Sequence, residues 1–509
     1  MKNIHLRLRK IVPIILFGSL LLAVGLLSLR RIHLVTADLG RHIANGRSLL
    51  TQGSVIDSNF YSYSFPETAF VNHHWASGLV FYWLHQAGGF LGLSYLHMAL
   101  TTTAFGLIFL LSWRLTSILD TILASLVVLP LVVARTEVRP EVFSYALVGI
   151  FFFILSGWRT RRIREEWLSC LPLLMILWVN LHIYFFMGLL LIGAFGLDIK
   201  DKKRLQDLAI ILGLTAIATF VNPLSWKIAL YPLRIFENYG YMIAENQSVP
   251  FFWKREMTIL GFGSFHAATL GLGISLGLLA LLKTRYSRAF VVVGFIAWGL
   301  ALSAIRNFAL FGLCAIPVMA MVGYILDATR LRTFWRIGLI LLAVSGQYYD
   351  WSRAAPAIAE TWGPGLAPGA EQSAIFFKQQ GLKGPIFNNY DIGGYLIYHL
   401  FPEEKVFVDN RPEAYPQGFF EKTYIPMQEN HDFWVQLEAK YQFNTIFYYI
   451  RDNTPAGQSF LIARVQDPEW VPVYVDQDAI IFVRKKPKNQ NVIDRFALPP
   501  EMFRVSPAS

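Results

Sequence analysis

The run Ile11-Val12-Pro13-Ile14-Ile15-Leu16-Phe17-Gly18-Ser19-Leu20-Leu21-Leu22-Ala23-Val24-Gly25-Leu26-Leu27-Ser28-Leu29, followed closely by Ala37-Asp38-Leu39-Gly40-Arg41-His42, decides the fold. The apolar run is long enough to cross a bilayer, which takes about 20 such residues. Lys2, Arg7, Arg9 and Lys10 precede it, and positive charge flanking a span favours the cytoplasmic side. Asp38 is therefore expected on the opposite face, beside Arg41 and His42 at the level of the lipid headgroups. Arg30 and Arg31 stand where a small-residue cleavage site would have to be, so a retained anchor is expected rather than a cleaved signal.

The same pattern recurs along the chain. Of its 509 residues 54% are hydrophobic, more than a soluble chain of this length carries on its inner faces. Apolar runs fall at 11–29, 92–112, 118–134, 142–158, 167–181, 183–197, 205–221, 258–282, 289–305, 308–326 and 334–347, which predicts about eleven spans. Breaks carrying Arg114; Arg159, Arg161, Arg162 and Arg164; Lys200, Lys202, Lys203 and Arg204; Lys283, Arg285 and Arg288; and Arg330, Arg332 and Arg336 alternate with less basic ones. With that count the basic breaks all face the cytoplasm, although Arg30 and Arg31 run against the tendency. An odd number of spans puts the C-terminus outside, with Asp38.

The formal net charge is +11. In a soluble protein this would suggest nucleic acid as a partner. Placed in short loops between apolar runs, the charge reads as topology signals and contacts with anionic headgroups. Membrane lipids are expected as partners and nucleic acid is not. Cys170 and Cys314 lie within apolar runs and form no zinc or redox motif.

The expected architecture is an α-helical polytopic membrane protein with a C-terminal soluble α/β domain. Residues 1–347 form the transmembrane domain, including an outer loop over 30–91; residues 348–369 form a linker marked by Gly363, Pro364, Pro368 and Gly369; residues 370–509 form the soluble domain. In the outer loop, Asp38 to Thr51 reads as a helix ended by Gly53. Phe60 to Phe65 alternates up to Pro66, and Trp75 to Gln86 reads as an interface helix. In the soluble domain, 385–388, 405–409 and 445–450 read as strands, 392–400, 433–441 and 458–465 as helices, and 470–475 with 479–484 as a hairpin. Gly393-Gly394 follows a strand but lacks the further glycines and the lysine of a phosphate loop.

Several residues are suited to chemistry. Asp38 suits general-base work on an acceptor hydroxyl; a helix-cap role explains it as well. Asp57 is a second carboxylate of the same loop. Asn72-His73-His74-Trp75 is not a metal site by spacing, because successive side chains point apart, although one histidine with Asp38 or Asp57 leaves a divalent metal open. The turn Arg135 to Glu141 holds two arginines and two glutamates between apolar spans. Its arginines suit a phosphate, or the four charges pin the turn as mutual ion pairs. Arg306, at the outer end of a span, contacts a phosphate or reaches the headgroups. Asn180 and His182 line a cavity or satisfy the backbone of a broken helix. Lys227, Arg234, Glu237 and Glu245 are outer-loop candidates for substrate contact, and Asn246-Gln247-Ser248 matches a glycan-acceptor triplet.

With these residues in view, the chain resembles the GT-C superfamily, multi-span glycosyltransferases that use polyprenyl-phosphate-linked sugars on the outer face of the membrane. Asp38 in Asp-Leu-Gly-Arg-His looks like the family's catalytic aspartate, and the long first outer loop like its hallmark loop. Asp57 to Pro66 with Asn72-His73-His74-Trp75, Arg139 to Tyr145, Trp178 to His182, Asn389 to Leu396 and Val408-Asp409-Asn410-Arg411-Pro412-Glu413 are similar to bacterial members, of the dolichyl-phosphate-mannose mannosyltransferase-like kind. Asp38 is followed by Leu39 and Gly40 instead of a second acid, a departure that leaves metal dependence open.

The resemblance implies an inverting glycosyltransferase of the bacterial inner membrane with an extracytoplasmic C-terminal domain. Asp38 would be the base. Arg135, Arg139 and Arg306 would hold the donor phosphate, with Arg41, His42, Asp57, His73, His74, Glu141, Asn180 and His182 lining the pocket. The donor would be a polyprenyl-phosphate-linked sugar and the acceptor a glycan, lipid or protein; no cofactor is demanded. Asp409, Arg411 and Glu413 are candidate surface residues of the soluble domain, or an internal ion pair. The rival readings are a transporter or flippase of a lipid-linked saccharide, which calls for inverted repeats, and a non-catalytic assembly subunit.

Overall fold

A computed structural model describes residues 2–135, 137–234, 240–257, 259–282, 286–326 and 330–503. Thr136, Glu237, Lys283 and Arg285, which the sequence reading drew on, lie outside these residues. The chain divides into two compact units.

The first unit comprises residues 1–31, 88–233 and 242–365 and is helical. Each apolar run of the sequence falls on a helix: Lys2–Ser28, Trp75–Leu115 (from residue 88 on in this unit), Ile118–Val133, Glu141–Arg159, Cys170–Leu181, Phe186–Gly196, Lys202–Ala218, Phe262–Leu282, Arg288–Ser303, Phe308–Ile325 and Arg330–Thr361. Among the described residues five helices are long and apolar enough to cross a membrane, by length and composition. Local chemistry sets several of the starts. Ser117 accepts the Asp120 N–H and Asp201 accepts the Arg204 N–H at 2.8 Å, each satisfying a donor that a helix N-terminus leaves open.

The basic breaks share one end of this unit. Arg162 reaches the Arg114 carbonyl at 3.0 Å, Arg204 the Trp158 carbonyl at 2.6 Å, and Asp198 takes both Arg159 (2.6 Å) and the Arg288 N–H (2.7 Å). Asp120, fully buried, takes Arg332 at 2.8 Å and Arg336 at 2.7 Å. The expected linker over 348–369 differs: helix continues to Thr361. The cause is close packing. A Cβ on Gly263 would stand 2.7 Å from the Gly346 carbonyl oxygen, and Asp350 caps the Phe262–Leu282 helix by accepting from the Gly263 and Ser264 N–H groups.

The second unit comprises residues 32–87, 234–241 and 366–509. The outer loop, grouped by the sequence reading with the spans, thus packs with the C-terminal domain. Its helix Leu39–Gln52 ends at Gly53 in the left-handed region (φ 73°), as Gly53 was expected to end it. Two glycine contacts clamp this helix. A Cβ on Gly40 would meet the Gly394 carbonyl oxygen at 2.9 Å, and one on Gly46 would meet that of Gly78 at 2.3 Å. Gly46→Val is therefore expected to lower stability by about 1–3 kcal/mol through overpacking, read as a fall in thermal midpoint of the full chain in detergent; an unchanged midpoint would contradict the clamp.

A four-stranded sheet forms the centre of this unit in the order β1 (Ile386–Asn388), β2 (Thr445–Tyr449), β4 (Ala479–Arg484), β3 (Trp470–Val475). β1 and β2 are parallel, with Ile386 opposite Thr445; the other pairs are antiparallel, with Thr445 opposite Val483 and Trp470 opposite Arg484. The register shifts between Pro472 and Tyr474, on an edge strand, where a residue without N–H is tolerated. The expected strand over 405–409 is not a ladder strand. It makes one bridge, Val406 with Ser62, and the side chain of Asn388 bonds the Val408 carbonyl (2.7 Å) and the Phe407 N–H (2.9 Å), serving groups that a ladder would have used. Phe387 packs on Trp434 and Phe460, each with ring centroids 4.9 Å apart. Gly393 starts its helix against residue 409: a Cβ there would stand 2.5 Å from the Asp409 Cα. The glycine pair serves packing rather than a phosphate.

Candidate active site

In the second unit Asp38 occupies the cap position of the helix Leu39–Gln52 and makes no side-chain cap bond. Its Oδ2 faces the Arg41 guanidinium and His42 Nε2, each at 3.5 Å. One helical turn brings these residues together, because positions three and four apart share a face. Arg41 is itself held by its Nε–H, which donates to Asn410 Oδ1 at 3.0 Å. The Asp38 side chain is 18% exposed while those of Arg41 and His42 are 7% and 2% exposed, so it is the most exposed of the three. The histidines continue the cluster: the His42 and His74 rings meet edge to face at 5.5 Å and the His74 and His73 rings lie 3.8 Å apart. The fold thus brings Asp38, Arg41, His42, His73 and His74 together.

Glu413 lies in the same unit, and burial pushes its carboxyl above the usual range, with Arg41 and Arg411 pulling the other way. Asp409 and Arg411 are not surface groups. At 0% and 1% exposed they form an internal pair, with the Arg411 fork donating to both carboxylate oxygens at 2.7 and 2.6 Å. Arg411 also donates to Asn59 at 2.6 Å, which ties the loop to the sheet domain.

In the first unit the three arginines expected to hold a phosphate share a network with glutamates. Arg135 pairs with Glu141 and, at 3.0 Å, with Glu245 Oε2. Arg139 donates to Glu245 Oε1 and to Glu137 Oε2, both at 2.5 Å. Arg306 stands 3.9 Å from Glu141 and donates to Asn246 Oδ1 at 2.9 Å. Glu245 bridges two guanidinium forks with its two oxygens, a geometry that a phosphate reproduces. The sequence reading set Glu245 among loop candidates and left it out of the site. Its partners are remote in sequence, so only the local excess of arginine hinted at it. Asn410 was likewise passed over between Asp409 and Arg411.

Three further expected residues have other partners, although the His182 ring lies 4.5 Å from that of Tyr184. Asp57 is exposed, and its carbonyl takes the Phe70 N–H at 2.7 Å. Asn180 bonds the Ile176 and Val221 carbonyls at 2.7 and 2.9 Å, and His182, extended at φ −161°, meets Ser144 Oγ at 2.8 Å. His182 serves the break between two short helices by accepting the Tyr184 N–H at 3.4 Å. Among the described residues no group of three or more His, Cys, Asp and Glu side chains is arranged to hold a metal ion.

No family model and no curated protein sequence matches the chain. Among solved structures it is similar to the archaeal oligosaccharyltransferase AglB from Archaeoglobus fulgidus in complex with an inhibitory peptide and a dolichol-phosphate. The TM-score is 0.61 at 12% identity, over 91% of this chain and 75% of that one. The Archaeoglobus fulgidus oligosaccharyltransferase tethered with an acceptor peptide containing the NVT sequon gives a TM-score of 0.61 at 11% identity, over 92% of this chain and 74% of that one. The likeness establishes the fold alone: apolar helices with a small C-terminal sheet.

Proposed function

We propose that the chain is a glycosyltransferase of GT-C type that moves a sugar from a polyprenyl-phosphate-linked donor to a glycan, lipid or protein acceptor with inversion. The bacterial inner membrane would hold it through about eleven spans, with residues 370–509 and Asp38 on the outer face. The observation that carries the reading is Asp38: a carboxylate with Arg41 and His42 each at 3.5 Å, at a helix start where it makes no side-chain cap bond. In the transfer, Asp38 takes the proton of the acceptor hydroxyl or amide as the acceptor atom bonds the anomeric carbon. The bond from that carbon to the phosphate oxygen breaks, and the polyprenyl phosphate leaves with the electron pair. Arg135, Arg139 and Arg306 supply the positive charge such a leaving group needs. Arg41 and His42 position Asp38. A fold shared with a protein solved in complex with a dolichol-phosphate supports the donor class.

Donor binding in this reading exchanges one anion for another: the phosphate takes the two guanidinium forks that Glu245 bridges. Glu245→Gln is therefore expected to tighten binding of a polyprenyl phosphate by roughly tenfold, about 1.4 kcal/mol, measured by titration of the purified protein in nanodiscs. Unchanged or weaker binding would contradict the exchange. The function itself is tested by presenting the purified protein in lipid with a panel of polyprenyl-phosphate sugars and measuring release of polyprenyl phosphate that depends on an added acceptor. Release from at least one donor is expected; release from none across the panel would overturn the proposal.

A further inference from the structure

Arg30 follows the first helix of the chain and is 3% exposed. Its Nε and Nη1 have no hydrogen-bond partner among the described residues. Its backbone is committed, the carbonyl accepting from Ser94 Oγ at 3.2 Å. Burial lowers its pKa from the ordinary value, yet a guanidinium stays charged throughout the working range. Burying guanidinium N–H groups without hydrogen-bond partners is expensive.

This cation borders a groove of about 380 Å³ within the first unit. Leu27, Leu129, Val133 and Leu260 form apolar walls. Two other polar residues of the lining are already satisfied. Gln347 donates to the Leu126 carbonyl at 2.8 Å, and Asp350 accepts from the Gly263 N–H (2.8 Å), the Ser264 N–H (3.1 Å) and Ser264 Oγ (2.6 Å). The rim is aromatic: Tyr348 and Trp351 are 74% and 65% exposed, as residues at a membrane–water boundary are. Trp362 stands nearby, its indole N–H on the Leu26 carbonyl at 2.8 Å. An apolar slot bordered by a buried guanidinium with two unpartnered N–H groups suits an acyl chain along its walls and a phosphate on the cation. The slot is too small for another helix, whose diameter with side chains is about 10–12 Å.

We propose that this groove binds one phospholipid with an anionic head group, its phosphate on Arg30 and an acyl chain along Leu27, Leu129 and Val133. The occupant is a lipid of the surrounding bilayer. Nothing given by the transfer reaction assigns this site, and its test reads lipid retention without any sugar.

The full chain is purified in detergent, exposed to an equimolar mixture of phosphatidylglycerol and phosphatidylcholine, and examined by native mass spectrometry. Wild type is expected to retain one phosphatidylglycerol in preference to phosphatidylcholine. Arg30→Gln loses the preference by roughly tenfold, whereas Arg30→Lys keeps most of it, since the charge carries the selectivity. Val133→Trp fills the groove and loses the bound lipid with Arg30 intact; thermal midpoints verify that each variant is folded. Equal retention of the two lipids by wild type, or full retention by Arg30→Gln, would overturn the proposal. So would displacement of phosphatidylglycerol by equimolar undecaprenyl phosphate, which would give the groove to a polyprenyl lipid instead.

Discussion

Asp409→Ala is expected to destabilise the unit of residues 32–87, 234–241 and 366–509 by about 3–5 kcal/mol, the cost of removing one partner of a buried ion pair. Arg411, 1% exposed, would keep a full charge with the Asn59 bond at 2.6 Å, the faces of Phe70 (4.7 Å) and Tyr61 (5.4 Å), and the more distant pull of the Glu413 carboxyl among the described residues around it. Its Nη1 lacks a hydrogen-bond partner among the described residues. Cation–π contacts of this kind are worth about 0.5–2 kcal/mol, too little to replace two charge-assisted bonds. The loss is read as a lowered midpoint in thermal unfolding of the full chain. Replacing both residues, Asp409→Leu with Arg411→Met, is expected to recover most of the loss, because no charge is then stranded. A single variant as stable as wild type would show that the pair contributes nothing to the unit.

Asp38→Asn is expected to reduce turnover by about 10²–10⁴-fold, the usual contribution of a positioned general base. The fold should be unaffected. Asn serves the cap position as well as Asp does, Asp38 makes no side-chain cap bond, and Arg41 keeps Asn410 at 3.0 Å. Donor affinity should stay near wild type, since the phosphate contacts are assigned to Arg135, Arg139 and Arg306. A fall in turnover at constant thermal midpoint and constant donor binding is the signature of a lost proton acceptor. A variant that turns over at the wild-type rate would remove Asp38 from the mechanism.

The sequence made the helical segments legible because each is a long apolar run, and the hairpin 470–484 because strand residues flank a turn at Asp476-Gln477-Asp478. The Asp38, Arg41 and His42 group was legible too, since helical spacing alone puts it on one face. What escaped was set by distant partners. That residues 32–87 fold with the C-terminal domain depends on contacts such as Gly40 against Gly394 and Arg411 on Asn59, and no local pattern encodes them. The segment 405–409 has the apolar alternation of a strand, yet its backbone is bonded by the Asn388 side chain. Asp409 and Arg411, two apart, pair readily, but only tertiary packing sets their burial. The same holds for Glu245, whose role follows from guanidinium groups more than a hundred residues away.

The central claim is a single displacement at the anomeric carbon with Asp38 as base, and the anomeric configuration of the transferred sugar tests it most directly. NMR of the product made by the wild-type protein from a polyprenyl-phosphate sugar of known configuration is predicted to show the opposite anomer. A product with the configuration of the donor would contradict it.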